Sequence, residues 1–265
     1  MAQPKPTTLA GLPGAVAPGE GTRRESPLLF LHCIMGHHRQ FDGYLRFFSA
    51  RGFDSYAFSR RGRHGVPPED ARGLRIRDYL EDTLAVIDAL DRPPVVIGHS
   101  LGALLAQKAA EAGRCRAIVL IAPTAPRGVA VRPPVSALPF YASAAPAIVT
   151  GKPKIPPYEV VARVGLRCLP DDQRRKIYAD FVPESGLVLR ELALGTPVDA
   201  GKVRCPVLVV SGREDGVCSP RVARAVARHY QADLREYPES DHWIIEDPGW
   251  ETVAADIVHW IEQVA

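Results

Sequence analysis

Short apolar runs and amphipathic stretches alternate along most of this chain. "PLLFLH" (27–32) is an unbroken apolar run closed by a polar loop, the pattern of a strand buried on both faces. "FDGYLRFFSARG" (41–52) then sets apolar residues at helical spacing before a glycine stop, and "FDSYAFS" (53–59) predicts a second strand. Glycines and prolines make "RRGRHGVPPEDARG" (60–73) a loop. From Ile76 to Leu90, three-and-four apolar spacing with charges between predicts an amphipathic helix, ended by Pro93 and Pro94. The strand "VVIG" (95–98), the helix "LGALLAQKAAEAG" (101–113) and the strand "AIVLIAP" (117–123) follow directly.

That succession predicts parallel strands joined by right-handed helical crossovers, an α/β class. Between residues 127 and 202 the rhythm breaks. Prolines crowd "VRPPVSALPFYASAAP" and "GKPKIPPYEV", "DDQRRKIYADFV" and "SGLVLRELALG" read as helices, and no strand interrupts them. Alternation resumes with the strand "CPVLVVSG", the helix "SPRVARAVARHY", the strand "DLREYP" and the helix "WETVAADIVHWIEQVA". The expected organisation is an α/β core from residues 26–126 and 203–265 with a mostly helical insertion at 127–202. Residues 1–25 are expected to form a flexible tail or partial first strands.

Composition narrows the partners. The chain has 265 residues, enough for one large domain with an insertion, and its 46% hydrophobic and 24% charged content is that of a globular protein. A net charge of +3 gives no reason to expect nucleic acid. No stretch approaches the roughly 20 apolar residues of a membrane helix. The opening segment does not read as a secretion signal, and the five cysteines show neither paired nor metal-ligand spacing, so free thiols in a reducing cytoplasm are expected.

One short motif carries chemistry. Gly98, Ser100 and Gly102 form G-x-S-x-G between a β-rich run and a strong helix former, the setting in which this pattern exposes a serine on a sharp turn. A serine hydroxyl needs a base, and the base needs an orienting acid. Of the eight histidines, His242 lies in a loop between the last predicted strand and the final helix, able to reach back to Ser100. His259 falls mid-helix, and His37 and His38 lack the companions of a metal site, so no metal is expected. For the acid, Asp215 follows the strand "CPVLVVSG". Glu214 is its nearest rival, and Asp241 is too close to His242 in sequence to reach the far imidazole nitrogen.

With these residues in chain order, the sequence resembles the α/β-hydrolase family, in its cap-bearing serine esterase and lipase-like branch, over residues 28–263. "PESDHWIIEDP" is similar to the family's histidine loop, and "AFSRRGRHG" to its arginine-glycine loop after the fourth strand. The resemblance implies a mostly parallel eight-stranded sheet flanked by helices, a helical cap at 127–202, and no cofactor. It also implies oxyanion donors at the backbone N–H groups of Ile34 and Leu101. Cys33 stands where the family usually has glycine, and is expected to be tolerated as a small residue. Met35, His99, Phe140 and Tyr141 are candidate substrate contacts, and the last two could equally belong to the cap's own core. Cys218, in the acid loop, is expected to be inert. Arg60, Arg61, Arg63 and His64 form a basic cluster, expected as a solvated loop with one arginine pairing locally or as a patch steering an anionic substrate.

The implied reaction is hydrolysis of a small to medium hydrophobic carboxylic ester. An acyltransferase or thioesterase would use the same groups. A non-catalytic ligand-binding homologue, a carbon–carbon bond hydrolase or a cofactor-free oxygenase would share the fold.

Overall fold

The computed structural model describes residues 3–63, 68–129, 135 and 138–265, and His64 of the basic cluster lies outside them. The strands are β1 (Lys5–Leu9), β2 (Leu12–Ala17), β3 (Leu28–Leu31), β4 (Ser55–Phe58), β5 (Val95–His99), β6 (Ala117–Ile121), β7 (Val207–Gly212) and β8 (Asp233–Tyr237). They form one eight-stranded sheet in the order β1-β2-β4-β3-β5-β6-β7-β8. The β1–β2 and β2–β4 pairings are antiparallel and the rest parallel. Residues 5–17, expected as a tail or partial strands, therefore supply a complete hairpin. Its signal in the sequence is faint because β1 is largely exposed and β2 buries only small residues such as Ala15 and Ala17.

The central strands β3, β5, β6 and β7 are buried along their whole length, as parallel strands covered on both faces must be. Alternate side chains go to opposite faces. Helices α1 (Asp42–Ser49), α2 (Ile76–Asp88) and α3 (Leu101–Glu111) precede the insertion; α4 (Leu138–Thr150), α5 (Tyr158–Gly165), α6 (Asp171–Ala179) and α7 (Gly186–Leu194) lie within it; α8 (Pro220–Tyr230) and α9 (Trp250–Val264) follow. Phe30, Ile97, Val119 and Val210 pack against Tyr44 and Phe48 of α1 and Ile257 and Ile261 of α9. Leu31, Val96, Leu120 and Val209 pack on the other face against Val86 of α2, Leu104 and Leu105 of α3 and Val226 of α8. Each such side chain contributes about 1.5–3 kcal/mol on burial.

Helices α4 and α5 were not expected, because prolines obscure them. Pro157 precedes α5 in extended backbone, where its missing N–H costs nothing. Pro146 sits inside α4, which the alanines around it sustain. The helix expected at 76–90 ends at Asp88.

The insertion is tied to the loops that leave the carboxyl ends of the sheet. The Val182 N–H donates to the Met35 carbonyl after β3 at 2.9 Å, and the Gly216 N–H after β7 donates to the Val164 carbonyl at 3.0 Å. The Cys168 N–H donates to Asp241 Oδ2, past β8, at 3.0 Å. The strongest link is a fully buried ion pair between Arg63, past β4, and Glu184 of the insertion. Tyr79 OH donates to Glu184 Oε1 at 2.7 Å and accepts from Arg63 Nη2 at 2.9 Å. Removing one partner leaves the other charge buried and unpaired, so Glu184→Ala should destabilise the fold by about 3–5 kcal/mol in urea unfolding. The double change Arg63→Met with Glu184→Leu should cost less, and a single-variant loss under about 1 kcal/mol would contradict this link.

Candidate active site

One residue turns the chain from β5 into α3. Ser100 has φ 57° and ψ −114°, a strained conformation for a side-chain-bearing residue, of the kind that costs about 1–3 kcal/mol. Its N–H donates to the Ile121 carbonyl of β6 at 2.9 Å, and its carbonyl accepts the Ala103 N–H at 3.0 Å, so both sides of the turn are pinned. The flanking glycines are required by contact. A Cβ on Gly98 would strike the Gly102 carbonyl, and one on Gly102 would strike the Leu31 and His32 carbonyls. The start of α3 is thereby pressed onto the ends of β3 and β5. The first N–H groups of a helix, here including that of Leu101, have no acceptor within it and carry the positive end of its dipole.

Asp215 and His242 meet at the same edge of the sheet. Asp215 Oδ1 accepts the N–H groups of Val217 and Cys218 at 2.7 and 2.8 Å, which leaves Oδ2 to accept from His242 Nδ1 at 2.9 Å. Both side chains are buried. Burial pulls the imidazole down, but the Asp215 charge and hydrogen bond outweigh it and hold His242 above its ordinary value. Glu214, the rival acid, is exposed and ion-paired with Arg167. Asp241 faces away, accepting the N–H groups of Cys168 and Trp243. His259 is exposed on α9 beside Gln263, and His38 bonds Ser59.

The loop after β3 is held by its carbonyls. The Cys33 carbonyl accepts from His32 Nδ1 at 2.8 Å and Arg60 Nη2 at 2.9 Å, while Arg60 Nη1 donates to the His32 carbonyl at 2.8 Å. In a trans peptide C=O and N–H point opposite ways, so the Ile34 N–H is directed away from Arg60. Arg60 is 1% exposed, and burial, with Arg63 nearby, brings its guanidinium down to about 10. The expectation of a solvated or steering cluster is therefore corrected for Arg60 and Arg63, which are buried structural cations, while Arg61 is the one arginine that pairs locally, with Asp82. A cation in a glycine-flanked basic run gives no sequence signal that it turns inward. The Cys33 thiol donates to the Ile34 carbonyl at 2.9 Å, and burial pushes it up to about 12, so it is a neutral, small residue here.

A small cavity of about 40 Å³ lies between this loop and His242, walled by Ile34, Met35, Phe140, Val161, Leu166 and Trp243. Phe181 and Trp243, with rings 5.5 Å apart, also line a larger surface cleft of about 480 Å³. Met35 and Phe140 are thus at the cavity as expected. Tyr141 is 39% exposed, edge-on to Phe140, and is not among the lining residues. His99 is not at the cavity either: it is fully buried, with both ring nitrogens engaged by Gln40 and the His242 carbonyl. The Ser100 and Thr124 hydroxyls lie near the Cys218 thiol, which burial pushes well above its ordinary value, and among the described residues no Ser100–His242 hydrogen bond is present. Sequence reasoning missed Gln40, a lone amide in a polar run.

Among the described residues, no group of three or more His, Cys, Asp or Glu side chains is arranged to hold a metal ion, and no helix is long and apolar enough to cross a membrane. The model of the alpha/beta hydrolase family matches residues 28–255. No curated protein sequence matches the chain. Among solved structures, a soluble variant of monoglyceride lipase from Saccharomyces cerevisiae superposes with a TM-score of 0.75 at 14% identity, covering 100% of this chain and 97% of that one. Monoacylglycerol lipase from Paleococcus ferrophilus gives 0.69 at 21% identity over 95% and 99%. A carboxylesterase structure from the ammonia-oxidizing thaumarchaeon Nitrososphaera gargenis gives 0.70 at 19% identity over 98% of each. At such identities the likeness is one of fold.

The Asp215–His242 pair has a direct spectroscopic consequence. NMR titration should give His242 a midpoint above 6.5 in the wild type, and Asp215→Asn, which keeps the burial but removes the charge, should lower it. By linkage the wild-type pair stabilises the fold fully below the unfolded imidazole's pKa, and that contribution is lost as pH rises through the folded one. An unmoved midpoint in Asp215→Asn would contradict the pairing.

Proposed function

This chain belongs to the alpha/beta hydrolase family, and we propose that within it the protein is a serine hydrolase of carboxylic esters working through an acyl-enzyme. The observation that carries this reading is the buried Asp215–His242 pair at the sheet edge where Ser100 is held in a strained turn.

Ser100 Oγ turns to His242 Nε2, a rearrangement of the sort that substrate binding brings to loosely set catalytic groups. His242 takes the hydroxyl proton as Oγ attacks the ester carbonyl, and Asp215 stabilises the imidazolium. The oxyanion is received by the N–H groups of Ile34 and Leu101, each donor contributing a few kcal/mol to the transition state. The Arg60 guanidinium on the Cys33 carbonyl polarises the same peptide and sharpens the Ile34 N–H as a donor. Collapse of the intermediate returns the proton from His242 to the departing alcohol. Water then repeats the sequence on the serine ester, releasing the acid and restoring Ser100.

The cavity beside Ile34 and His242 is the acyl site in this reading. At about 40 Å³ it has room for roughly three or four water-sized groups, so the acyl chain is short. The larger cleft beyond Phe181 and Trp243, which carries Arg39, Asp42, Lys176 and Asp180, supports a polar alcohol part. The helices of residues 127–202 act as the cap. Five free thiols support a reducing, cytoplasmic setting.

Turnover of a p-nitrophenyl ester series tests this. Ser100→Ala should lower kcat/KM on the butyrate by about 10⁴-fold or more, and the wild type should prefer butyrate over octanoate by at least about tenfold. Retained turnover in Ser100→Ala would overturn the mechanism, and a preference for octanoate would overturn the acyl-site assignment alone.

A further inference from the structure

Two side chains that the mechanism does not use connect the loops on which it depends. His99 Nε2 lies 2.7 Å from the His242 carbonyl. A carbonyl only accepts, so the ring's proton is on Nε2, and Nδ1 is left as an acceptor. Gln40 Nε2 donates to that Nδ1 at 3.2 Å, and Gln40 Oε1 accepts the Cys33 N–H at 3.3 Å. Both ends of this chain of bonds are backbone groups with a single polarity, so every bond between them has one direction. The parts are also closed in sterically. His99 is fully buried, its ring 5.0 Å from that of His242 and edge-on to Trp243 at 5.5 Å, and a Cβ on Gly36 would strike Gln40 Oε1.

We propose that Gln40 and His99 are positioning residues, a relay of fixed polarity that joins the Cys33 N–H of the oxyanion-donor loop to the backbone carbonyl of His242. The inference rests on the serine mechanism proposed above, in which Ile34 and His242 must act on the same substrate atoms at once. The Cys33 residue is then gripped on both sides, its carbonyl by Arg60 and His32 and its N–H by Gln40. Misplacing a catalytic group by about 1 Å can cost roughly 100-fold in rate, so a bond path between donor and base has a kinetic purpose. A neutral ring is required at position 99. An imidazolium would oppose the proton that His242 accepts during attack, and an apolar side chain would leave the His242 carbonyl unsatisfied. Burial, followed by the nearby His242, keeps His99 well below the ordinary histidine range.

Three readouts on the full chain test the relay. Imidazole ¹⁵N shifts of the wild type should find His99 neutral at neutral pH with its proton on Nε2, and Gln40→Met should shift the Nδ1 resonance as it loses its donor. The same variant should lower kcat on p-nitrophenyl butyrate by about 10- to 100-fold with KM within about threefold, the signature of lost alignment rather than lost substrate contact. A fluorophosphonate should label Ser100 of the wild type. A wild-type His99 protonated on Nδ1 or charged at neutral pH would overturn the proposal, as would a Gln40→Met variant that keeps its kcat or raises only KM. Should that variant not fold, the wild-type His99 spectrum decides alone. An unlabelled wild-type Ser100 with the His99 signature intact would overturn the serine mechanism while leaving the hydrogen-bonded relay standing.

Discussion

The crossing of α3 over the ends of β3 and β5 is the constraint from which the rest of the molecule follows. Only hydrogen at positions 98 and 102 lets the helix start so close to the Leu31 and His32 carbonyls, and the chain reaches that start through a single residue at positive φ. The strain at Ser100 persists because its neighbours over-determine it: β6 takes its N–H, and the helix takes its carbonyl. A hydroxyl fixed at that point lies at the carboxyl end of β5, and the loops that leave the neighbouring strands at the same edge hold the Asp215–His242 pair and the Ile34 peptide. The catalytic reading is thus a consequence of sheet geometry before it is one of side-chain chemistry.

Buried cations organise the second tier. Arg60 has no carboxylate partner among the described residues and is accommodated by two backbone carbonyls and the face of Tyr79, 5.0 Å away. Its neighbour Arg63 pairs with Glu184, so one short basic segment braces the β3 loop on one side and anchors the helical insertion on the other. Such charges are costly to bury; the terminal guanidinium nitrogens of each meet oriented acceptors, while the Nε of each has no hydrogen-bond partner. The insertion and the Ile34 peptide therefore share a support, and the Met35 carbonyl adds a direct hydrogen bond between them.

Much of this was legible in the sequence. The apolar runs at 28–31, 95–98, 117–121 and 207–212 are central strands, and their order dictated parallel crossovers. Positions 215 and 242 could be chosen because each follows a strand, and the structure brings those two side chains into contact. The hairpin at 5–17 reads only as a tail or partial strands because it buries little, and α4 and α5 escaped because their prolines stand at starts and in an alanine-rich turn that tolerate them. The roles of Gln40, Arg60 and Cys218 had no signature. Gln40 lies in a single 3-10 turn and the other two in loops, where periodicity carries no information about which way a side chain turns.

The convergence of three groups on one carbonyl carbon is the central claim, and a crystal structure of the chain inactivated by a short alkyl phosphonate tests it most directly. The account predicts phosphorus bonded to Ser100 Oγ, its oxygen about 2.7–3.1 Å from both the Ile34 and Leu101 N–H nitrogens, and His242 Nε2 within hydrogen-bond reach of Oγ. A phosphonyl oxygen turned into solvent, or an adduct with His242 still out of reach of Ser100, would contradict it.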